Sequence, residues 1–296
     1  MNGSVIKDVF QLGKPKIIVL LAITCVAGYL VATRGNTDLI NLSTLWWSTF
    51  GLCLSAMGAN TINMWWDRDI DCVMKRTQTR PLPSRRMQPN TVLALGIAEG
   101  ILAFVLLWGT VNLWTALMAA SGYLFYVLVY TMLLKRRTVQ NIVIGGAAGA
   151  FPPLVGWAAV QGDVSSPIPW VMFAIIFFWT PPHFWALALM ANKDYAKAGI
   201  PMLPVIKGVA ETKVQIMYYL LILIPITLTL GLFAPFGFLY LSMAAALGAW
   251  WLWLVRKLLL AGDMETVDFP LTKKCFMFSV YYLAALFFIM VLDTFV

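Results

Sequence analysis

Long apolar runs constrain the fold of this chain more than any other feature of its sequence. Nine of them follow one another, and most contain about 20 residues, the length an α-helix needs to cross a bilayer. The short alternating segments of a transmembrane β-barrel do not occur in the sequence. The sequence therefore predicts an all-α fold, a polytopic membrane helical bundle with nine transmembrane helices. The predicted spans are Ile17–Thr33, Leu45–Trp65, Asn90–Val111, Leu113–Leu134, Asn141–Val160, Ile168–Ala191, Val214–Phe233, Pro235–Val255 and Phe276–Phe295.

The composition favours the same class of protein. Hydrophobic residues make up 61% of the 296 residues and charged residues 11%, with a mean hydropathy of +0.81. A soluble globular domain has about 45–50% apolar and roughly 25% charged residues. The composition excludes a soluble enzyme, a disordered chain and a disulfide scaffold, and four cysteines without CxxC spacing suggest no zinc or redox motif. We expect residues 1–296 to form a single integral-membrane domain.

The distribution of basic residues predicts the orientation of the bundle. The formal net charge is +8. When the N-terminus is placed in the cytoplasm, 20 of the 21 Lys and Arg residues fall on the cytoplasmic side, and only Arg34 falls on the other. This positive-inside bias predicts a cytoplasmic N-terminus and a C-terminus on the opposite side. The basic excess is therefore mostly topological and requires no nucleic acid partner.

A row of polar residues follows the second run. Asn63, Asp67 and Asp71 are spaced by four residues, which places them on one face of a continuing helix, and Asn60 lies one turn earlier. Stacked carboxylates repel each other unless a cation lies among them, and Mg²⁺ typically binds one or two carboxylates together with substrate phosphates. The row therefore predicts a magnesium site. The plainer alternative is a helix end whose acidic residues face water.

Basic residues come directly after this acidic row. Lys75, Arg76 and Arg80 follow within nine residues of Asp71. Guanidinium groups bind phosphate oxygens in pairs, so a metal-binding face followed by arginines predicts a clamp for a diphosphate. Arg80 is the preferred phosphate ligand. For any single arginine, a purely topological charge is an equally good explanation.

A second polar loop, residues 192–204, follows the sixth run. It contains Asp194, which we expect to complete the metal site, and Lys197, which we expect to contact phosphate. The alternative is an ordinary solvated loop.

His183 and Glu99 are ionisable residues well inside apolar runs, where such groups are functional by default. His183 is the only histidine, and it follows Pro181 and Pro182, which free backbone carbonyls and favour a cavity. A structural hydrogen bond to a neighbouring helix is the alternative. Glu99 lies in the middle of the third run, and a neutral interhelical hydrogen bond and a role in the site explain it equally well.

These motifs resemble those of a known family. The Asn63-xxx-Asp67-xxx-Asp71 pattern, followed by Arg80-Pro81-Leu82, resembles the intramembrane prenyltransferases of the UbiA type, and the resemblance covers nearly the whole chain. Three further segments are similar to the branch of that superfamily that farnesylates heme. They are Lys135–Gly146, Pro181–Trp185 and Asp194–Pro204.

The resemblance implies a reaction. A Mg²⁺-dependent enzyme would transfer a farnesyl group from farnesyl diphosphate to the vinyl group of heme B, forming heme O with its hydroxyethylfarnesyl side chain and releasing diphosphate. The setting would be a bacterial-type inner (cytoplasmic) membrane, with the active site on the cytoplasmic side of the lipid bilayer and heme-copper oxidase assembly partners. The alternatives are a UbiA-type prenyltransferase for a quinone precursor and, less favoured, a membrane transporter.

The resemblance also implies roles for single residues. Asp67, Asp71 and His183 would be catalytic, and Asn63, Asp67, Asp71 and Asp194 would bind the metal. Many members of the superfamily carry a second DxxxD in the later loop, whereas here Ala198 stands four residues after Asp194, which leaves the ligands of a second metal ion open. The implied substrate-binding residues are Asn60, Lys75, Arg76, Arg80, Lys135, Arg136, Asn141, Tyr195 and Lys197.

Overall fold

The computed structural model describes residues 3–75, 77–233 and 235–296, with side chains from residue 7 onward. All regular secondary structure within these ranges is helical, as the apolar runs predict. The helices are α1 (Gly3–Leu12), α2 (Pro15–Ala32), α3 (Leu42–Trp66), α4 (Arg68–Val73), α5 (Pro89–Thr110), α6 (Leu113–Leu124), α7 (Asn141–Gly145), α8 (Pro152–Gln161), α9 (Pro167–Met190), α10 (Asn192–Lys197), α11 (Leu203–Ile206), α12 (Gly208–Thr229), α13 (Phe238–Leu260) and α14 (Phe269–Thr294).

Several helices continue in a different winding. α6 continues as a π-helix over Phe125–Leu134, and a 3₁₀ turn over Gly146–Ala150 joins α7 to α8. A further 3₁₀ turn, Leu230–Leu232, ends α12. Counted with these continuations, eight helices in the described ranges are long and apolar enough to cross a membrane.

The second predicted span, Leu45–Trp65, lies within α3, which is more polar than the helices of the other spans. α3 is 25 residues long but does not belong to the eight apolar helices, because it carries hydroxyl and amide side chains along its length. Several of them are buried in the bundle: Ser48, Ser55, Asn60, Thr61 and Asn63. The count of nine spans and the orientation of the termini therefore stay predictions, while the all-helical membrane bundle itself is observed.

Close helix packing depends on glycine at one crossing. α2 and α8 approach so closely that a Cβ atom on Gly156 would overlap the carbonyl oxygen of Cys25, and one on Gly28 would overlap that of Pro153. Small residues allow such contacts between transmembrane helices. This crossing packs α2, near the N-terminus, directly against α8, in the middle of the chain.

The sequence predicts a tight hairpin at each of two very short connections, around Asn112 and around Ala234 and Pro235, because each joins two apolar runs too long to be one span. The connection between α5 and α6 is the first of these hairpins. α5 ends at Thr110 and α6 begins at Leu113, with Asn112 between them. The side chain of Asn112 caps α6, accepting a hydrogen bond from the backbone N–H of Thr115 at 2.8 Å. The second predicted hairpin, around Ala234 and Pro235, includes a residue outside the described ranges.

The two polar loops meet at one end of the bundle. Met74 of the first loop lies in a buried apolar cluster with Tyr195, Ile200 and Met202 of the second loop. Ala188 near the end of α9 belongs to the same cluster. Apolar packing therefore brings the two segments together, as the sequence analysis predicts for a shared site.

Candidate functional site

The predicted row of polar residues is buried at the junction of α3 and α4. Asp67 ends α3 and precedes α4, and the hydrogen-bond pattern continues through it: its N–H donates to the Asn63 carbonyl at 2.9 Å, and the N–H of Asp71 donates to the Asp67 carbonyl at 2.8 Å. Because this i to i+4 pattern persists, the three side chains remain on one face. Asp67 is 0% exposed and Asp71 2%, so the alternative in which they face water is wrong.

Each of the two carboxylates is paired with cations. Asp67 forms an ion pair with Lys135 through Oδ2, and its Oδ1 lies 3.5 Å from Arg136. Arg80 donates to Oδ2 of Asp71 at 2.7 Å. Three of the predicted substrate-binding residues therefore surround the carboxylates, and one of them, Arg80, is the predicted phosphate ligand. An uncompensated buried carboxylate would be costly, and these cations supply the balancing charge.

Asp69, between the two buried carboxylates, has a different environment. Its side chain is 60% exposed and forms two hydrogen bonds of 2.7 Å with Arg136. These bonds lower the pKa of Asp69 and raise that of Arg136. Asn63, Asp67 and Asp71, with Arg80, Lys135 and Arg136 around them, are called the pocket below. Asp69 therefore holds Arg136 at the solvent-exposed edge of this pocket.

Lys14 is a member of the pocket that the sequence analysis missed, because it was counted only as a topological charge. It precedes α2 with φ +55°, an unusual backbone conformation for a lysine, and its ammonium donates to Oδ1 of Asn63 at 2.7 Å. Burial, together with repulsion from Arg80 and Lys135, lowers the pKa of Lys14 to about 7. Nothing in the sequence distinguishes Lys14 from the other basic residues, because its positive φ and its burial are set by the tertiary structure.

The π-helix contributes a second residue that was missed. Thr131 accepts a hydrogen bond from Nδ2 of Asn63 at 3.0 Å, and the same amide nitrogen donates to Asp67 at 2.9 Å. The hydroxyl of Thr131 donates to the carbonyl of Tyr126, five residues earlier, at 2.8 Å. π-helical turns often occur at functional sites. This one holds the Asn63 amide and ends directly before Lys135.

The carboxylate and amide oxygen atoms of the pocket are suitable ligands for a magnesium ion. Oδ1 of Asp71 has no partner among the described residues, and Oδ1 of Asp67 has only the 3.5 Å contact with Arg136. Two carboxylates and an amide are hard oxygen ligands of the kind that Mg²⁺ binds together with substrate phosphates. In the described part of the chain, no three His, Cys, Asp or Glu side chains form a metal cluster. Asp194 therefore does not join the pair here, and its role as a ligand stays a prediction.

Two predicted substrate-binding amides, those of Asn60 and Asn141, form hydrogen bonds with backbone carbonyls next to residues of the pocket. Asn60 donates to the Gly13 carbonyl at 3.0 Å, which fixes the turn that carries Lys14. Asn141 donates to the Lys135 carbonyl at 3.2 Å, and its Oδ1 is buried with no hydrogen-bond partner in the described ranges. Their contacts with the protein are structural, and any contact with substrate stays a prediction.

The remaining predicted substrate-binding residues lie on or near the two loops. Lys75 and Lys197 are exposed. Tyr195 is buried in the apolar cluster that joins the loops. Arg76 lies outside the described residues.

His183 is part of α9, and its side chain packs against α14. Its Nδ1 lies 2.6 Å from Oγ of Ser279 on α14. The ring stacks on Trp179 and on Phe276, with centroid distances of 4.3 and 4.8 Å. The hydrogen bond expected by the structural alternative is therefore present, in surroundings that are almost entirely aromatic.

Two other buried ionisable groups have distinct surroundings. Glu99 accepts a hydrogen bond from Thr61 at 3.1 Å, which joins α5 to α3 and matches the interhelical interpretation. Lys213 on α12 is fully buried, and its ammonium has no hydrogen-bond partner among the described residues. The sequence analysis counted Lys213 only as a topological charge.

Comparisons with known proteins give the family and its relatives. The sequence profile described as the UbiA prenyltransferase family matches residues 21–291. A protein named protoheme IX farnesyltransferase, from Synechocystis sp. (strain ATCC 27184 / PCC 6803 / Kazusa), is 48% identical over 99% of this chain and 90% of its own length. Another protein of that name, from Symbiobacterium thermophilum, is 53% identical over 83% of this chain and 81% of its own length.

Solved structures share the fold. One, from a study of digeranylgeranylglyceryl phosphate synthase in membranes, has a TM-score of 0.80 at 18% identity and covers 98% of both chains. A UbiA homolog from Archaeoglobus fulgidus, bound to GPP and Mg²⁺, has a TM-score of 0.69 at 15% identity, covering 96% of this chain and 99% of that one. At these identities the likeness concerns the fold alone, and it confirms the predicted helical membrane bundle.

Proposed function

The chain belongs to the UbiA prenyltransferase family, and we propose that it transfers a farnesyl group from farnesyl diphosphate to the vinyl group of heme B. The products are diphosphate and heme O, which carries a hydroxyethylfarnesyl side chain. The observation that carries this proposal is the buried Asp67 and Asp71 pair, ringed by basic side chains, in a chain with such near full-length relatives. A pocket of this charge pattern suits a diphosphate with its metal ion.

The basic residues of the pocket bind the diphosphate. Arg80, Lys135 and Arg136 already lie against the carboxylates, so phosphate oxygens can take the place of a carboxylate oxygen at each cation with little change of geometry. Lys14 adds a fourth positive charge beside Asn63. Lys75 and Lys197, which are exposed on the two loops, complete the clamp, and the family resemblance assigns Arg76, outside the described residues, to substrate binding.

Asn63, Asp67 and Asp71 would hold the magnesium ion, with Asp194 completing its ligands from the second loop. The ion, when bound, supplies positive charge to the phosphate oxygens of the leaving group. The side chains of the pocket hold those oxygens in place before the reaction begins, so that charge developing on the diphosphate meets donors already oriented towards it.

The chemistry follows from the loss of diphosphate. The bond between C1 of the farnesyl group and the diphosphate oxygen breaks, and its electron pair leaves with the diphosphate. The terminal vinyl carbon of the heme attacks C1 through its π electrons, and the cation left beside the porphyrin takes up water, which then releases a proton. The apolar interior of the bundle protects the allylic cation from water before the attack.

The position of the site fits the substrates. Farnesyl chains and porphyrins are largely apolar and partition into a bilayer, whereas the diphosphate needs the polar pocket at the end of the bundle. We place this pocket on the cytoplasmic side of a bacterial-type inner membrane, because almost all basic residues fall on that side. Heme-copper oxidase assembly factors are the proposed protein partners, by resemblance to the heme branch.

The decisive experiment offers purified protein in nanodiscs two acceptors with farnesyl diphosphate and Mg²⁺. Heme B and a quinone precursor such as 4-hydroxybenzoate would be supplied separately, and the products separated by mass. We expect farnesylated product from heme alone, loss of activity with EDTA, and recovery on addition of Mg²⁺. Product from the quinone precursor alone would assign the chain to the other branch of the family, and full activity in EDTA would remove the metal.

A further inference from the structure

The surroundings of His183 hold its imidazole ring in one orientation. Trp179 and Phe276 lie nearly parallel to it, at interplanar angles of 19° and 28°. The indole N–H of Trp179 also donates to the backbone carbonyl of Ser279 at 2.8 Å. The bond between Trp179 and Ser279 sets the position of α14 against α9, and with it the distance between Ser279 and the imidazole.

The hydrogen bonds of Ser279 determine which nitrogen of His183 carries the proton. The Ser279 hydroxyl donates to the carbonyl of Phe276 at 2.5 Å. A hydroxyl has a single proton to donate and two lone pairs that accept. In the contact of 2.6 Å with His183, Oγ is therefore the acceptor and Nδ1 the donor.

The proton on Nδ1 of His183 determines the state of the second ring nitrogen, Nε2. In a neutral imidazole one nitrogen is a donor and the other an acceptor. With the proton on Nδ1, the lone pair lies on Nε2, which forms no hydrogen bond with the described residues and is not among their fully enclosed unpartnered atoms. Nε2 is therefore an available acceptor.

We propose that Ser279 is a positioning residue, which fixes His183 as the Nδ1–H tautomer and presents its Nε2 lone pair to the heme substrate. This inference rests on the proposed function, and it takes His183, which the family resemblance implies is catalytic, to act on heme as an iron ligand or as a base that orients water. Both roles require a lone pair on the nitrogen that faces the substrate. Partners that bind the remote nitrogen of a histidine commonly fix its tautomer and raise its basicity.

The chain offers a direct test, because His183 is its only histidine. Labelling with ¹⁵N-histidine therefore gives NMR signals from one residue, in the full-length protein and without heme. We expect a protonated Nδ1 and an unprotonated Nε2 in the wild type. The Ser279→Ala variant should shift towards the Nε2–H tautomer, and Ser279→Thr, which keeps a hydroxyl, should restore the wild-type signals. A wild-type protein with the proton on Nε2 would overturn the proposal whether or not any variant folds.

Ser48 provides a matched control. It is fully buried, and its hydroxyl donates to the Leu45 carbonyl three residues earlier at 3.1 Å, as that of Ser279 does to Phe276. Ser48→Ala should leave the histidine signals and heme affinity unchanged. An equal effect of Ser48→Ala and Ser279→Ala would reduce Ser279 to a structural residue.

Activity separates this proposal from the proposed function. Ser279→Ala should weaken heme binding or turnover by about 10-fold or more, the usual effect of losing such a partner, while farnesyl diphosphate binding is unchanged. A shifted tautomer with wild-type heme binding and turnover would overturn the positioning role and leave the proposed function standing. A wild-type protein with the expected tautomer but no farnesyl transfer to heme would overturn the proposed function and support the tautomer assignment.

Discussion

The carboxylate pocket and the surroundings of His183 solve the problem of burying polar groups in opposite ways. In the pocket, the carboxyl groups of Asp67 and Asp71 are paired with basic side chains from two separate segments, and Lys14, from a third segment, donates to Asn63 beside them. Around His183, one hydroxyl and a set of aromatic rings surround a group that carries no partner of opposite charge. The first arrangement suits a charged ligand and the second a flat, apolar one.

Under the proposed function, this difference shows how one bundle would accommodate two unlike substrates. A diphosphate needs preorganised charge, which is stable only where water or counter-charges are near. The porphyrin ring of heme needs flat apolar surface, and its two propionates need polar contacts only at the edge of the ring. Placing the two environments on different helices keeps the charges of one away from the apolar surface of the other, and the predictions that follow test that separation.

Loss of a pocket carboxylate should have the largest effect. Asp67→Ala or Asp71→Ala removes an oxygen ligand and leaves a buried cation unpaired, so farnesyl transfer should fall by about 10²–10³-fold, as when one electrostatic contact to a developing charge is removed. Transfer to heme in nanodiscs, with membrane insertion checked by yield, measures the effect.

Asp69→Ala is the matched control for this experiment. Asp69 lies between the two carboxylates in sequence but is exposed. Asp69→Ala should reduce activity far less than Asp67→Ala, because it removes only a solvent-exposed contact that positions Arg136 and leaves both buried carboxylates in place. Equal losses at Asp69 and at Asp67 would show that burial in the pocket is unimportant and would break the comparison.

Removal of the imidazole should affect only one of the two substrates. His183→Ala is expected to lower heme affinity or turnover by about 10–100-fold, in the range found when the environment of a metal ligand is changed. Heme titration by absorbance and binding of a farnesyl diphosphate analogue measure the two substrates separately. If analogue binding weakened as much as heme binding, the two environments would not be independent.

A substitution at Lys14 tests whether this lysine belongs to the diphosphate-binding pocket. Lys14→Met removes a part-buried hydrogen bond to Asn63 and a basic group beside the carboxylates, which should reduce kcat/KM for farnesyl diphosphate by roughly tenfold. Lys16→Met is its control, because Lys16 is two residues away and exposed. Wild-type kinetics in the Lys14→Met variant would return Lys14 to the role of a topological charge.

Lys213 gives the smallest expected effect, and it concerns stability. Its ammonium is buried and has no hydrogen-bond partner among the described residues, so Lys213→Met should stabilise the protein by about 1–3 kcal/mol, the usual cost of an unsatisfied buried group. Thermal unfolding in detergent measures this, with the exposed Lys207→Met as control. A lower unfolding temperature in Lys213→Met would mean that Lys213 has a stabilising partner.

The sequence by itself determined the features that depend on local periodicity. Runs of about 20 apolar residues specify membrane helices because every backbone polar group must be satisfied within the bilayer. The spacing of Asn63, Asp67 and Asp71 places them on one face because a helix repeats every 3.6 residues. Both predictions needed only neighbours along the chain, and the structure confirmed the helical bundle and the shared face.

Only the tertiary structure decided which distant residues complete each environment. Lys14 and Asn63 are 49 residues apart, Asn63 and Thr131 are 68 apart, and His183 and Ser279 are 96 apart. These contacts depend on how helices pack and on unusual local backbone, such as the π-helix before Lys135 and the positive φ of Lys14. In the sequence, a lysine that balances a buried carboxylate has the same signature as one that only sets topology, because packing alone determines which side chains become buried.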